Sequence, residues 1–148
     1  MFGDVVNSPY VYLMNWYYIS GFFDADGCVT AIRDRKGKNK TLQISFTNNE
    51  LEILESIKLF IQNEIDCTGS ISRKKARQAT HSDSFELKYV FRNATNVAEK
   101  IISLHPKKKH RIEVYKKIQE ATKRNGKYTE EEDMLRDSLM SEFFKHSG

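Results

Sequence analysis

The sequence has few cysteines and no long apolar run, and these absences exclude several classes of protein. Its 148 residues include two cysteines, and Cys28 and Cys67 lack the CxxC spacing of a zinc site or redox site. We therefore expect a reducing intracellular compartment, such as a prokaryotic or phage-infected cytoplasm or an organelle. No apolar stretch approaches the roughly 20 residues of a membrane span. The N-terminal residues lack the pattern of a signal peptide, so neither membrane association nor secretion is expected.

Charge is unevenly distributed along a chain whose formal net charge is +4. The basic segments are 33–40, 73–77, 107–111 and 123–127, and the acidic ones are 50–64 and 130–137. This asymmetry favours one surface that faces a polyanion such as nucleic acid. Four solvated loops would give the same pattern, and that alternative stays open at this point.

Apolar periodicity and capping signals predict an α/β (α+β) fold. The predicted elements are a helix at 11–26, strands at 28–34 and 41–47, a helix at 49–64, strands at 69–75 and 84–92, and helices at 94–104, 107–123 and 130–144. Asn49 with Glu52, and Thr129 with Glu132, have the spacing of capping boxes. The order predicts two hairpins in one antiparallel sheet, a saddle with helices on one face. We expect a single domain over residues 1–148, with a core at about 10–119 and a C-terminal helix at about 128–145.

Alternation along the strands predicts that one face of the sheet is apolar and the other polar. In the last strand, Phe85, Leu87, Tyr89 and Phe91 face one way, and Glu86, Lys88, Val90 and Arg92 face the other. A curved polar face with basic hairpin tips could lie along the major groove of DNA and reach base edges and phosphates. An ordinary solvated sheet surface would show the same alternation. The predicted DNA-binding residues are Thr30, Arg33, Arg35, Lys36, Lys38, Lys40, Gln43, Ser45, Thr47, Ser70, Ser72, Arg73, Lys74, Lys75, Arg77, Glu86, Lys88 and Arg92.

The segment from Ile19 to Gly27 breaks local rules of helix formation. Gly21 and Ala25 share one helix face, and small side chains there let another helix approach closely. Asp24 and Asp26 crowd the C-terminal end, where the helix dipole disfavours carboxylates and no structural gain is evident. A divalent cation would relieve that repulsion. Taken alone, the last four residues also fit a simple turn.

These nine residues resemble the signature of the LAGLIDADG homing endonucleases. The identical positions are Gly21, Asp24, Ala25, Asp26 and Gly27, and the conservative ones are Ile19, Ser20, Phe22 and Phe23. The α-β-β-α-β-β-α order over roughly 10–119 is also the order of that family. Because the chain has one motif, it resembles the members that form homodimers rather than the two-motif monomers.

The resemblance implies a nuclease that makes double-strand breaks in a long pseudo-palindromic DNA site, in the setting of intron homing. It implies that Asp26 and its symmetry mate ligate Mg²⁺ or Mn²⁺, with the carbonyl of Ala25 as a further ligand. The implied dimer interface consists of Tyr17, Ser20, Gly21, Asp24 and Ala25. The implied partners are duplex DNA and a second copy of the chain, without a small-molecule substrate.

The family's pattern implies further catalytic residues at matching positions of this sequence. They are Asn48, at the end of the second strand, and Lys107 and Lys109, before a core helix. A phosphate-contacting loop is the alternative interpretation of those lysines. Some members carry Gln where this chain has Asn48, and Arg where this chain has Glu52. These departures motivate a second hypothesis, an RNA maturase or a regulator that binds nucleic acid without cutting, and a third is a basic protein that binds DNA without sequence preference.

Overall fold

The computed structural model describes residues 13–33, 40–76, 78, 82–122 and 127–145, which fall into two units that divide after Ser103. The elements of the first unit are α1 (Trp16–Asp26), β1 (Gly27–Arg33), β2 (Lys40–Asn48), α2 (Leu51–Ile65), β3 (Ser70–Lys74), β4 (Ser84–Val90) and α3 (Phe91–Lys100). Those of the second unit are α4 (Pro106–Glu120) and α5 (Glu130–Phe143). The predicted fold class and order of elements are confirmed, and the assignment of the whole chain to a single domain stays a prediction.

The strands form one antiparallel sheet in the order β1-β2-β4-β3. On its apolar face, Ile44 lies between Val29 and Tyr89, and Phe46 pairs with Leu87, so that buried side chains line up across neighbouring strands. Helices α1, α2 and α3 contact these strands. Because direct partners in an antiparallel pair share a face, the remaining positions form the predicted polar face.

Aromatic contacts fix α1 against the sheet. The ring centroid of Phe46 lies 5.9 Å from that of Phe23 and 6.4 Å from that of Tyr89, both in edge-to-face arrangements. At the start of α1, Trp16 meets Phe60 of α2 at 5.4 Å. Each such ring contributes on the order of 2–3 kcal/mol through burial. The helix that carries the motif is therefore held at both ends.

The predicted helix at 11–26 is too long at its start. Met14 and Asn15 are not helical, and positions 11 and 12 lie outside the described residues. Helix α1 begins at Trp16 because the side-chain oxygen of Asn15 accepts the N–H of Tyr18 at 2.8 Å, which caps the first turn.

The position of Gly27, directly after α1, requires a glycine for a steric reason and not because of its φ angle. Its φ of −94° is open to any residue. A Cβ atom there would lie 2.6 Å from the carbonyl oxygen of Phe23 and 2.8 Å from its Cα. The backbone N–H of Gly27 donates to that same carbonyl, so the chain passes too close to α1 for a side chain.

The capping box predicted at Asn49 and Glu52 is wrong. The cap of α2 is Glu50, which makes no side-chain hydrogen bond to the helix. Instead, the side-chain oxygen of Asn48 accepts the N–H of Glu50 at 2.8 Å and shapes the turn that leads from β2. An Asx turn has thus replaced the expected cap.

Strand β4 ends two residues earlier than predicted, at Val90. Phe91 has a φ of 55° in the left-handed region, where the strand cannot continue. It opens α3 and is 64% exposed, so its predicted place on the apolar face is wrong, and Arg92 lies in a helix. Helix α3 in turn ends at Lys100, four residues before the predicted end.

In the described part of the second unit, two helices pack on each other. Helix α4 begins at Pro106, one residue earlier than predicted, and the ring nitrogen of His105 accepts the N–H of Lys108 at 3.4 Å. It ends at Glu120, three residues before the predicted end. The capping box predicted between Thr129 and Glu132 is confirmed, with hydrogen bonds of 3.1 and 3.0 Å. Among the described residues, no helix combines the length and apolar character of a membrane span.

Candidate functional site

The inward side of α1 is fastened to the segment that follows α3. Ile19, Ser20 and Phe23 are buried. The hydroxyl oxygen of Ser20 accepts the backbone N–H of Ile102 at 2.9 Å, and the hydroxyl of Ser103 donates to Oδ1 of Asp24 at 2.6 Å. Residues 101–103 therefore leave α3 and lie along α1 rather than continuing as a helix.

These bonds change the interpretation of two motif residues. Ser20 is only 4% exposed and faces its own chain, although the sequence placed it in a dimer interface. Asp24 is half-buried, and its carboxylate accepts a hydrogen bond from Ser103. The expectation that neither motif carboxylate brings a structural gain is thus wrong for Asp24. No local sequence pattern signals this contact, because Ser103 and Asp24 are 79 positions apart.

The outward side of α1 presents a stripe of exposed residues at four-residue spacing. Tyr17 is 77% exposed, and Gly21 and Ala25 are exposed as well. A Cβ atom at Gly21 would meet no atom of the described residues within 4 Å. Among these residues nothing fills the space over the middle of the stripe, so the surface there can accept a close-packed neighbour.

Asp26, the last residue of α1, is exposed and directly follows Ala25, the last residue of the stripe. Gly27, which follows it, pairs with Phe46 of β2, and Asn48 comes two residues later on that strand. The structure therefore brings Asp26 and Asn48 to the same end of the sheet. The side-chain oxygen of Asn48 is engaged by Glu50, and its register partner on β4 is Phe85, a position on the face turned towards the helices.

The donor atoms at this helix end are of the type that suits a hard divalent cation. Asp26 supplies carboxylate oxygens, and the last turn of a helix leaves main-chain carbonyls such as that of Ala25 without intrahelical partners. Mg²⁺ and Mn²⁺ prefer oxygen donors of this kind. The described part of the chain contains no group of three or more acidic, His or Cys side chains placed to bind a metal ion. One subunit thus offers a fitting but partial donor set.

Lys107 and Lys109 lie in the first turn of α4, and both are exposed. Lys108 between them is buried. Because successive helical residues are rotated by about 100°, the two exposed lysines point about 200° apart. The two side chains therefore leave α4 on nearly opposite sides.

The polar face of the sheet is built of rows that cross its strands. One row runs from Cys28 through Ser45 and Lys88 to Ser70. The next row joins Thr47, Glu86 and Ser72, and a third joins Thr30, Gln43 and Val90. Neighbouring side chains cover Ser45, which is 5% exposed, so it lies lower in this face than the sequence suggested.

An ionic cluster formed by Glu86, Lys74 and Lys88 lies on the polar face, on strands β3 and β4. The ammonium group of Lys74 lies 3.1 Å from Oε2 of Glu86, and that of Lys88 lies 3.4 Å from Oε1. The side chain of Glu86 is 12% exposed, whereas those of Lys74 and Lys88 are 54% and 38% exposed. The sequence placed all three residues on one face but gave no sign of this pairing.

Other predicted DNA-binding residues lie elsewhere. Arg73 pairs in register with Phe85, and its guanidinium binds Asp83. The backbone N–H of Ala76, followed by Arg73, holds the pKa of the Asp83 carboxyl below its usual value. Lys75 is exposed beyond β3. Backbone pairing places Arg33 and Lys40 at the ends of β1 and β2, and Arg35, Lys36, Lys38 and Arg77 lie outside the described residues.

The antiparallel sheet, with helices behind it and a motif helix that leads into its first strand, defines a mixed α/β domain with a single motif. A family model described as a LAGLIDADG-like domain matches residues 15–102, from the cap of α1 to the segment bonded to it. The chain therefore belongs to the LAGLIDADG family of homing endonucleases.

Among solved structures, the fold is similar to that of the LAGLIDADG meganuclease I-AabMI bound to uncleaved DNA, with a TM-score of 0.59 and 17% sequence identity. The similarity covers 86% of this chain and 44% of that chain, so this chain spans less than half of the meganuclease. No curated protein matches the sequence.

Proposed function

We propose that the protein is a site-specific endonuclease that acts as a homodimer and makes double-strand breaks in a long pseudo-palindromic DNA site. The observation that carries this proposal is the exposed stripe of Tyr17, Gly21 and Ala25 on the helix whose last residue is the exposed Asp26. A stripe of this kind suits a twofold contact between two copies of α1. Such a contact would bring two Asp26 side chains together.

The size of the chain relative to the meganuclease supports a dimer. This chain has one motif and corresponds to 44% of that chain. Two copies would supply about the same amount of structure. A twofold protein recognises twofold DNA, so the preferred site would be an inverted repeat.

The polar face of the sheet supports DNA as the partner. It carries hydroxyl, amide and ammonium groups in rows, among them Thr30, Gln43 and Lys88. These groups can reach base edges and phosphates in a major groove. The name of the similar meganuclease structure states that it was bound to DNA, which favours the same kind of partner here.

Asp26 from each subunit, with the carbonyl of Ala25, would hold Mg²⁺ or Mn²⁺. When bound, the ion supplies Lewis-acid stabilisation of the charge that develops on the phosphate. The chain's own part is to place that phosphate against the two helix ends. Lys107 or Lys109 would contribute a cationic side chain to phosphate binding, and Asn48 would help to order water near the helix ends.

Two cysteines, both free thiols, support action in a reducing compartment of the cell. Intron homing is the biological setting that we propose.

A second candidate function is binding of nucleic acid without cleavage, as in an RNA maturase or a regulator. It is favoured by Asn48, whose short side chain already bonds the backbone at Glu50.

Selection of cleaved sites from a random duplex library tests the proposal. We expect inverted-repeat sites, double-strand cleavage with Mg²⁺ and no cleavage with EDTA. Asp26→Asn should abolish cleavage and leave DNA binding largely intact. Asp66→Asn is the matched control, because Asp66 is also an exposed aspartate at the C-terminal end of a helix and its left-handed φ of 52° suits Asn.

Binding without cleavage by the wild-type protein would support the second candidate. Retained cleavage by Asp26→Asn would refute the role of this residue. Sedimentation of the protein loaded with duplex gives the oligomeric state independently, and an obligate monomer would refute the dimer.

A further inference from the structure

The ionic cluster of Glu86, Lys74 and Lys88 has a different architecture from an exposed surface ion pair. Each oxygen of the carboxylate faces a separate ammonium group, at 3.1 and 3.4 Å. The carboxylate lies low in the sheet, with the more exposed lysine side chains beside it. Thr47 and Ser72 are the register partners of Glu86 on the strands at either side. One buried acid therefore organises two exposed cations.

The cluster lies near the end of the sheet where α1 delivers Asp26. Thr47, the partner of Glu86, follows directly after Phe46, and Phe46 pairs with Gly27. Neighbouring strands are about 4.8 Å apart, so the backbone of Glu86 lies about 10 Å from that of Gly27. Base pairs next to the site of cutting would thus meet this cluster.

We propose that Glu86 determines specificity by positioning Lys74 and Lys88 and by limiting their attraction to phosphates. Two free ammonium groups would bind any duplex, because every sequence presents phosphates. With Glu86 between them the cluster carries a net charge of +1 rather than +2, and the lysines keep a fixed spacing. Productive binding then requires base edges that match this arrangement. The inference rests on the proposed DNA-binding function.

Glu86→Gln keeps the size of the side chain and removes its charge. This variant should bind a duplex of random sequence more tightly than the wild type, because each subunit gains a cation that can neutralise a phosphate. The dependence of log K on log salt should steepen by about 0.9 for each subunit. That change corresponds to roughly a further threefold loss of affinity per subunit between 50 and 200 mM salt. The preference for the site selected by the wild type over random duplex should fall.

Two further variants separate position from charge. Glu64→Gln removes the same charge from an exposed position on α2 and should leave the affinity, the salt dependence and the preference unchanged. Glu86→Asp keeps the charge but is one methylene too short to reach both lysines. It should leave the affinity for random duplex unchanged and weaken binding to the selected site.

The outcomes separate the inference from the function on which it rests. Equal effects of Glu86→Gln and Glu64→Gln would reduce the role of Glu86 to net charge and overturn the inference. A changed preference at a single base pair, with unchanged affinity for random duplex, would make Glu86 itself the base-reading residue and would also overturn it. If the wild type binds no duplex at all, the proposed function fails and this inference falls with it.

Discussion

Two glycines in the motif should respond in opposite ways to added side chains. At Gly21 a Cβ atom meets no atom of the described residues within 4 Å, whereas at Gly27 it would lie 2.6 Å from the carbonyl oxygen of Phe23. Glycine inside a helix costs about 0.8–1.0 kcal/mol relative to alanine, and leucine is close to alanine in this respect. Gly21→Leu should therefore make the isolated subunit more stable by about 0.8 kcal/mol.

Gly27→Ala should destabilise the protein by about 1–3 kcal/mol, the usual cost of forcing atoms into a packed site. Phe23 cannot move aside easily, because it is fully buried and its ring packs against Phe46. Denaturant unfolding at low protein concentration would measure both effects. The two variants should differ by roughly 2–4 kcal/mol, as the sum of the gain and the cost.

Gly21→Leu should also prevent dimer formation, because a leucine side chain would hold the two copies of α1 apart. Wild-type stability should rise by about 1.4 kcal/mol for each tenfold increase in protein concentration, and the stability of Gly21→Leu should not depend on concentration. Cleavage should be lost although the subunit is folded. A Gly21→Leu protein that still dimerises and cleaves would refute the assignment of this stripe to the interface.

Three further predictions concern the supporting structure. Ser103→Ala removes a hydrogen bond to the carboxylate of Asp24 and should lower the free energy of unfolding by about 1.5 kcal/mol, measured by denaturant titration. Burial raises the pKa of Tyr89, and its hydroxyl has no hydrogen-bond partner among the residues that the structure describes; Tyr89→Phe should therefore be neutral or stabilising by about 1 kcal/mol, and a clear loss of stability would contradict this. The pKa of Asp83 is lowered in the folded state, so its stabilisation is complete above its ordinary value of 3.8 and is lost as the pH falls through the lowered value. Asp83→Asn should thus be less stable than the wild type at neutral pH, and the difference should shrink below pH 3.8 in acid-unfolding experiments.

Features set by neighbouring residues could be predicted from the sequence. Alternation gave the faces of Ile44 and Phe46, and the spacing of Thr129 and Glu132 gave the capping box of α5. The motif gave the family and the position of Asp26. In each case the physical cause acts within a few residues: the pleat of a strand, the open N–H groups of a first turn, or the period of a helix.

The remaining features depend on contacts between residues that are distant in sequence or on a single backbone angle. The bond between Ser103 and Asp24 spans 79 positions. It ends α3 early, although the residues after Lys100 continue an apolar pattern. Phe91 continues the alternation of β4, yet its left-handed φ turns the chain out of the sheet. No local pattern carries this information.

The period of an α-helix places the motif residues on two sides of α1, one bonded to the rest of the first unit and one exposed. Ser20 and Asp24 are four residues apart and share one side of α1, where both bond the segment 101–103. Gly21 and Ala25 are each rotated about 100° further and share the exposed side. The inward bonds therefore fix the rotation of the helix about its axis, and this rotation decides where the stripe and Asp26 point. The helical repeat therefore links the hydrogen bond from Ser103 to Asp24 with the direction in which Asp26, the proposed metal ligand, points.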